Sequence, residues 1–268
     1  MEPCGMATNQ SQFAVPEQIG EAVEESLSDT TTLVIGGSSE LKRTLLRAFV
    51  AADATVIVPN DDALPDVYDS KEVIVTDEVL DESRIERVQA AERLRDEVRD
   101  RVGELNAVVA VPDSVWTGDP LVETSTEAWH MTLDEELAAP FVLARTLLPV
   151  LAENSGRSSY TFINQPMGEM PTPYAGASAV AAAGRRMAVQ MMMQEAANDT
   201  ESVRVNELMP YLPEKTGPYT HHGTGTITRA EVARVATALI APSSDTHGEL
   251  IRLREPRDVR PWTVDEEQ

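Results

Sequence analysis

Few side chains in this sequence have the type and spacing that chemistry needs. Cys4 is the only cysteine, so no intrachain disulfide can form. His221 and His222 are adjacent, and neighbours on a regular element do not converge on one metal. No cysteine or acidic partner stands near them at metal-ligand spacing. The sequence therefore predicts no metal site and reads the pair as part of a solvated loop. Met187 and Met191 to Met193 form a soft stripe that suits a binding face, the core or a subunit contact. Tyr174 follows Pro173 at the start of an Ala- and Met-rich stretch, where packing is the plain reading.

The elements that must position these residues are legible as alternating periods. Short apolar runs predict strands at 31–35, 55–58, 73–75, 107–111, 160–163, 203–208 and 250–253. The first ends in Gly36-Gly37, and the second is stopped by Pro59-Asn60-Asp61. Between them lie helical stripes: Leu41 to Val50, Ile85 to Val102, a long helix after Thr124, Tyr174 to Ala197, and Val232 to Leu239. Thr124-Ser-Thr-Glu127 has capping-box spacing, and Trp129, Leu133, Leu137, Phe141 and Leu148 line the inner face of the long helix. The pattern predicts an α/β fold: a Rossmann-type, doubly wound parallel sheet of about seven strands with helices on both faces. It divides the chain into a polar extension at 1–29, with one helix at Glu17 to Leu27, a domain at 30–256 and a polar, loose tail at 257–268. Ligands of such sheets sit beyond the carboxyl ends of the strands, near Gly36, Val111, Asn164 and Pro210.

Charge narrows the partners. The formal net charge is -23, and Lys42, Lys71 and Lys215 are the only lysines. Such a surface repels nucleic acid and anionic lipid. An acidic, lysine-poor surface resembles that of proteins from halophilic archaea, where salt screens self-repulsion. No apolar run of membrane-spanning length and no secretory signal is evident, so a cytoplasmic protein is expected.

From about Thr31 to Arg254 the order of elements resembles the short-chain dehydrogenase/reductase family. VIGGSSELKRTLLRAFVAADATVIV is similar to its first strand, glycine turn and helix. DPLVETSTEAWHMTLDEELAAPFVLARTLLPVL is similar to its long fourth helix, and INQPMGEMPTPYAGASAVAAAGRRMAVQ to its catalytic strand and helix. TRAEVARVATALIAPSSDTHGELIRL is similar to its closing helix and strand. The resemblance implies NAD or NADP as cofactor, with Gly36, Gly37, Ser38, Ser39, Leu41 and Asp61 (or Asp62) as its seats. It implies Tyr174 as proton donor, Asn164 or a neighbour, Ile163 or Gln165, as the group holding the substrate oxygen, and a dimer or tetramer built through the 174–197 helix. The small residues Ala177, Ala181 and Gly184 on that helix suit close packing.

The departures are as informative. Glu40 and Lys42 stand where the family's turn has its second and third glycines. A carboxylate at Glu40 would put negative charge toward the phosphate seat, as an internal anion on the helix dipole. Ile74 stands for the aspartate that ends strand three, and Ala110-Val-Pro-Asp113 for the Asn-rich turn after strand four. Ser178 stands for the lysine four residues after the tyrosine, and Glu136 for the asparagine of the long helix. Without that lysine a phenol of pKa about 10 keeps its proton at neutral pH. Two functions remain open. One is a catalytically degenerate relative serving as a scaffold, partner-binding or regulatory subunit, binding NAD or NADP weakly or not at all. The other is an NAD(P)-dependent oxidoreductase using Tyr174, Asn164 and Ser178.

Overall fold

The computed structural model describes residues 26–37, 40–60, 72–77, 86–112, 118–154, 156–199, 203–212 and 227–262. Seven strands form one sheet: β1 (Thr31–Ile35), β2 (Thr55–Val58), β3 (Val73–Val75), β4 (Ala107–Ala110), β5 (Ser158–Ile163), β6 (Val203–Pro210) and β7 (Leu250–Leu253). Their order is β3-β2-β1-β4-β5-β6-β7, and every pair is parallel. The order reverses between β1 and β4, which defines the switch-point crevice. The predicted α/β, doubly wound architecture is observed.

Both faces are covered because the strands carry apolar residues on alternate sides. Val34 faces a cluster with Leu45, Phe49, Val232 and Leu239, supplied by α1 (Glu40–Ala51) and α6 (Arg229–Ile240). Leu33 and Ile35 face the other cluster, with Leu94, Leu147 and Val189. These come from α2 (Glu86–Val102), α4 (Ala139–Ala152) and α5 (Gly176–Asp199). Leu27 and Val259 lie outside the 30–256 span, yet both are buried in the first cluster. Leu27 also donates its N–H to Ala52 O. Two short turns, Pro256–Asp258 and Arg260–Trp262, carry the chain past Val259.

The long helix differs from its sequence reading in two ways. Its cap is Ser125, not Thr124: the Ser125 hydroxyl accepts from Ala128 N at the start of α3 (Thr126–Leu133). A π-helical turn at Asp134–Ala138 then separates α3 from α4. The extra residue shifts the phase of the apolar stripe. Phe141, expected on the inner face, is exposed, and Ala144, Leu147, Val150 and Leu151 are buried instead. The helix expected at 17–27 falls largely outside the described residues, and Leu27 itself is not helical.

Candidate functional site

The carboxyl end of β1 is shaped by backbone. Gly36 and Gly37 have φ of +77° and +37°. A Cβ on Gly36 would lie 2.3 Å from Val111 O, and one on Gly37 would lie 2.6 Å from Pro112 O. Only glycine lets the turn pass this close to the segment after β4. Helix α1 starts at Glu40. Its carboxylate, expected over the phosphate seat, is 65% exposed and pairs with Arg43 Nη1 at 3.4 Å. Lys42 is only 2% exposed, so its long side chain fills interior space where the resembled family has a glycine. Leu41 packs into the core, leaving backbone rather than side chain to meet a ligand. Ile74 is the middle residue of β3, paired with Ile57, and does not end the strand. The first carboxylate beyond the strand is Asp77, which pairs with Arg101. Ser38, Ser39, Asp61, Asp62, Asp113, His221 and His222 lie outside the described residues.

A second centre lies under the ends of β5 and β6, where the other candidates fall. Asn164 follows β5 and is buried. Its Nδ2 donates to Glu207 Oε1 at 2.7 Å, and its Oδ1 accepts from Arg185 Nε, Arg185 Nη2 and Gln165 N. The amide proposed to hold a substrate oxygen is thus engaged inside the protein at both ends. Ser178 is also buried, and its hydroxyl donates to Glu136 Oε1 at 2.6 Å. Arg185 Nη1 reaches the main-chain carbonyl of Glu136, inside the π turn, at 2.7 Å. Two positions that the resemblance marks for catalysis, 136 and 178, are therefore brought together, but as hydrogen-bond partners of each other.

Tyr174 lies before the helix that carries Ser178 and Arg185. It precedes the first residue of α5, has φ of +63° and is 41% exposed. Its carbonyl accepts from Gly118 N. Because it lies outside the helix, α-helical i to i+4 geometry does not align it with Ser178.

Four charged residues of the centre were not singled out from the sequence. Arg185, Arg186, Glu169 and Glu207 join it to β7: Arg186 Nη2 is 2.7 Å from Glu169 Oε1, and Arg252 donates through Nε to both Glu169 oxygens. Glu207 has a fully buried side chain, and burial raises its pKa against the pull of Asn164 and Arg186. Glu169 goes the other way, lowered first by its hydrogen bond from Arg252. A signal existed: charges in an apolar strand and a small-residue helix are seldom buried without partners. Among the described residues, no three His, Cys, Asp or Glu side chains converge as for a metal ion, and no helix is long and apolar enough to cross a membrane.

Solved structures share this fold. A protein of Pseudomonas syringae classed as a short-chain dehydrogenase superposes with a TM-score of 0.75 at 20% identity, over 87% of this chain and 98% of its own. The fold is that of the short-chain dehydrogenases. A similarly classed protein of Shigella flexneri, in complex with NADP, gives 0.71 at 19% identity over 86% and 99%. A short-chain oxidoreductase of Pseudomonas aeruginosa with an atypical catalytic centre gives 0.69 at 21% identity over 85% and 97%. No protein-family model matches the sequence. No curated protein matches it either.

Proposed function

We propose that this chain is a divergent short-chain dehydrogenase relative that does not perform the family's proton transfer, and that serves as a scaffold, partner-binding or regulatory subunit. One observation carries the reading: the side chains at positions 136, 164 and 178 are consumed by one another, by Arg185 and by Glu207. A proton relay needs groups within reach of the substrate, and Asn164 and Ser178 are sealed in. The turn also suits a dinucleotide poorly, because Glu40 stands at the glycine position that close backbone approach to a pyrophosphate requires, and a buried lysine, Lys42, stands at the glycine position that lets helix and strand pack closely. Calorimetric titration with NAD, NADP and their reduced forms, in molar KCl, tests this. Weak or absent binding is expected, and micromolar binding by the wild type would overturn the reading.

A second reading is favoured by Tyr174, which is 41% exposed just before the start of α5. The Shigella neighbour holds NADP and the P. aeruginosa neighbour has an atypical centre, so an oxidoreductase with Tyr174 as proton donor is the alternative. It requires cofactor-dependent carbonyl reduction that disappears in Tyr174→Phe.

A further inference from the structure

The rim where β6 and β7 end carries an excess of positive charge in a strongly negative protein. Arg186, Arg252 and Arg254 converge on the single carboxylate of Glu169. Arg186 Nη2 is at 2.7 Å, Arg252 binds it through Nε and Nη2, and Arg254 Nη2 is at 3.7 Å. The Tyr211 hydroxyl donates to Glu169 Oε2 at 3.0 Å and accepts from Arg254 Nη2 at 3.2 Å. Behind Glu169 stands Glu207, whose Oε2 is 3.8 Å from Arg186 Nε. One carboxylate in contact with three guanidinium groups leaves cationic charge over, even with Glu207 ionised.

We propose that Arg252, Arg254 and Tyr211 form the mouth of a binding site for a small oxyanion, a carboxylate or phosphate group, with Glu169 as the fixed anion at its floor. Exposure is graded as a mouth requires: the Glu169 side chain is 13% exposed, Arg252 37% and Arg254 56%. The Arg254 guanidinium lies 4.9 Å above the Tyr211 ring, a cation–π contact that helps hold it in place. A guanidinium has five N–H donors, and neither Arg252 nor Arg254 spends all of them on the contacts above. Glu169 is placed rigidly. The turn before it packs so closely on α5 that a Cβ on Gly168 would lie 3.0 Å from Ala182 O. The Asp258 carboxylate accepts from the backbone N–H groups of Arg254 and Glu255. The site lies at the β6–β7 end of the sheet, while the glycine turn lies at β1, so it does not depend on dinucleotide binding.

A purely structural network makes the opposite prediction for one variant, so the two are separable. Succinate and inorganic phosphate are titrated calorimetrically into the full chain at constant KCl. The wild type should bind at least one of them saturably, and the preferred anion names the source. Arg254→Gln should weaken binding about tenfold or more while leaving the thermal midpoint nearly unchanged, because its pairings are largely exposed. Glu169→Gln should bind the anion more tightly, since the resident carboxylate no longer competes for Arg252. Binding that survives Arg254→Gln, or no binding by the wild type and Glu169→Gln alike, overturns the proposal. Dinucleotide titrations of the same proteins report separately on the glycine turn.

Discussion

Ser178 Oγ and Glu136 Oε1 lie 2.6 Å apart, tying α5 to the π turn between α3 and α4. The bond crosses from one helix to another at a buried serine, so removing the hydroxyl leaves a carboxylate oxygen without its donor. Ser178→Ala should lower stability by about 1.5–3 kcal/mol, the range for a hydrogen bond to a charged group. Urea unfolding measures it. A change within the scatter typical of surface substitutions would mean that the bond does not hold the helices together.

Glu207 and Glu169 should give opposite pH signatures. Burial raises the Glu207 pKa above 4.5, so the folded state holds this proton more tightly than the unfolded chain. Its contribution to stability is whole below 4.5 and is lost as pH rises through the raised value. Glu169 is lowered by Arg252, so its contribution is present above 4.5 and is lost as pH falls through the lowered value. Glu207→Gln keeps an acceptor for Asn164 without a buried charge. It should raise the thermal midpoint at neutral pH by a few degrees, each kcal/mol being worth about 2–4 °C in a domain of this size. It should also flatten the decline above pH 4.5. A pH profile identical to the wild type would place the charge cost elsewhere.

The sheet was readable because most of its strands, buried on both faces, are short apolar runs; β6, which carries Arg204, Asn206 and Glu207, departs most from that pattern. The crossovers, being helical, set the order of elements. The site was less readable. Asn164, Ser178 and Glu136 were found by position, but position does not reveal that Ser178 bonds Glu136 or that Asn164 is enclosed by Arg185 and Glu207. Those contacts join residues 21 to 43 positions apart, beyond any local pattern. Tyr174 looked helical because the Ala-rich stretch runs through it, yet its left-handed backbone sets it before the first turn. The small residues of α5 were also legible only in part. At Gly184 a Cβ would lie 3.1 Å from Leu137, so the small residue allows the close helix packing that its type suggests, but its type does not name the partner it packs against.

Stability should depend on salt. A net charge of -23 with three lysines repels itself at low ionic strength. Between about 0.1 M and 1 M salt the screening length falls from about 10 Å to 3 Å. The thermal midpoint should climb steeply over that range in KCl. A flat profile would remove the case for salt adaptation.

A homodimer or tetramer is expected in high salt. Met131, Phe141, Val180, Met187 and Met191 are large apolar side chains left exposed on α3, α4 and α5. Exposed apolar side chains gathered on neighbouring elements mark association surfaces. Light scattering should give twice or four times the 29.2 kDa of one chain, and Met187→Asp with Met191→Asp should shift it toward one. A wild-type monomer at tens of micromolar, about the range in which a stable oligomer persists, would reject this face as a self-contact.

The π turn at Asp134–Ala138 makes chain length, and not only side-chain identity, a determinant of which surface α4 presents. Each residue of an α-helix turns the chain by about 100°. Loss of one residue from the bulge would restore regular winding and rotate all of Ala139–Ala152 as a unit, carrying Phe141 inward and swinging the Ala144–Leu147–Leu151 seam off the sheet. A one-residue deletion here therefore acts as a dial on an entire helix, and related chains that differ by such a deletion should wear a different outer face on the same seven-stranded frame.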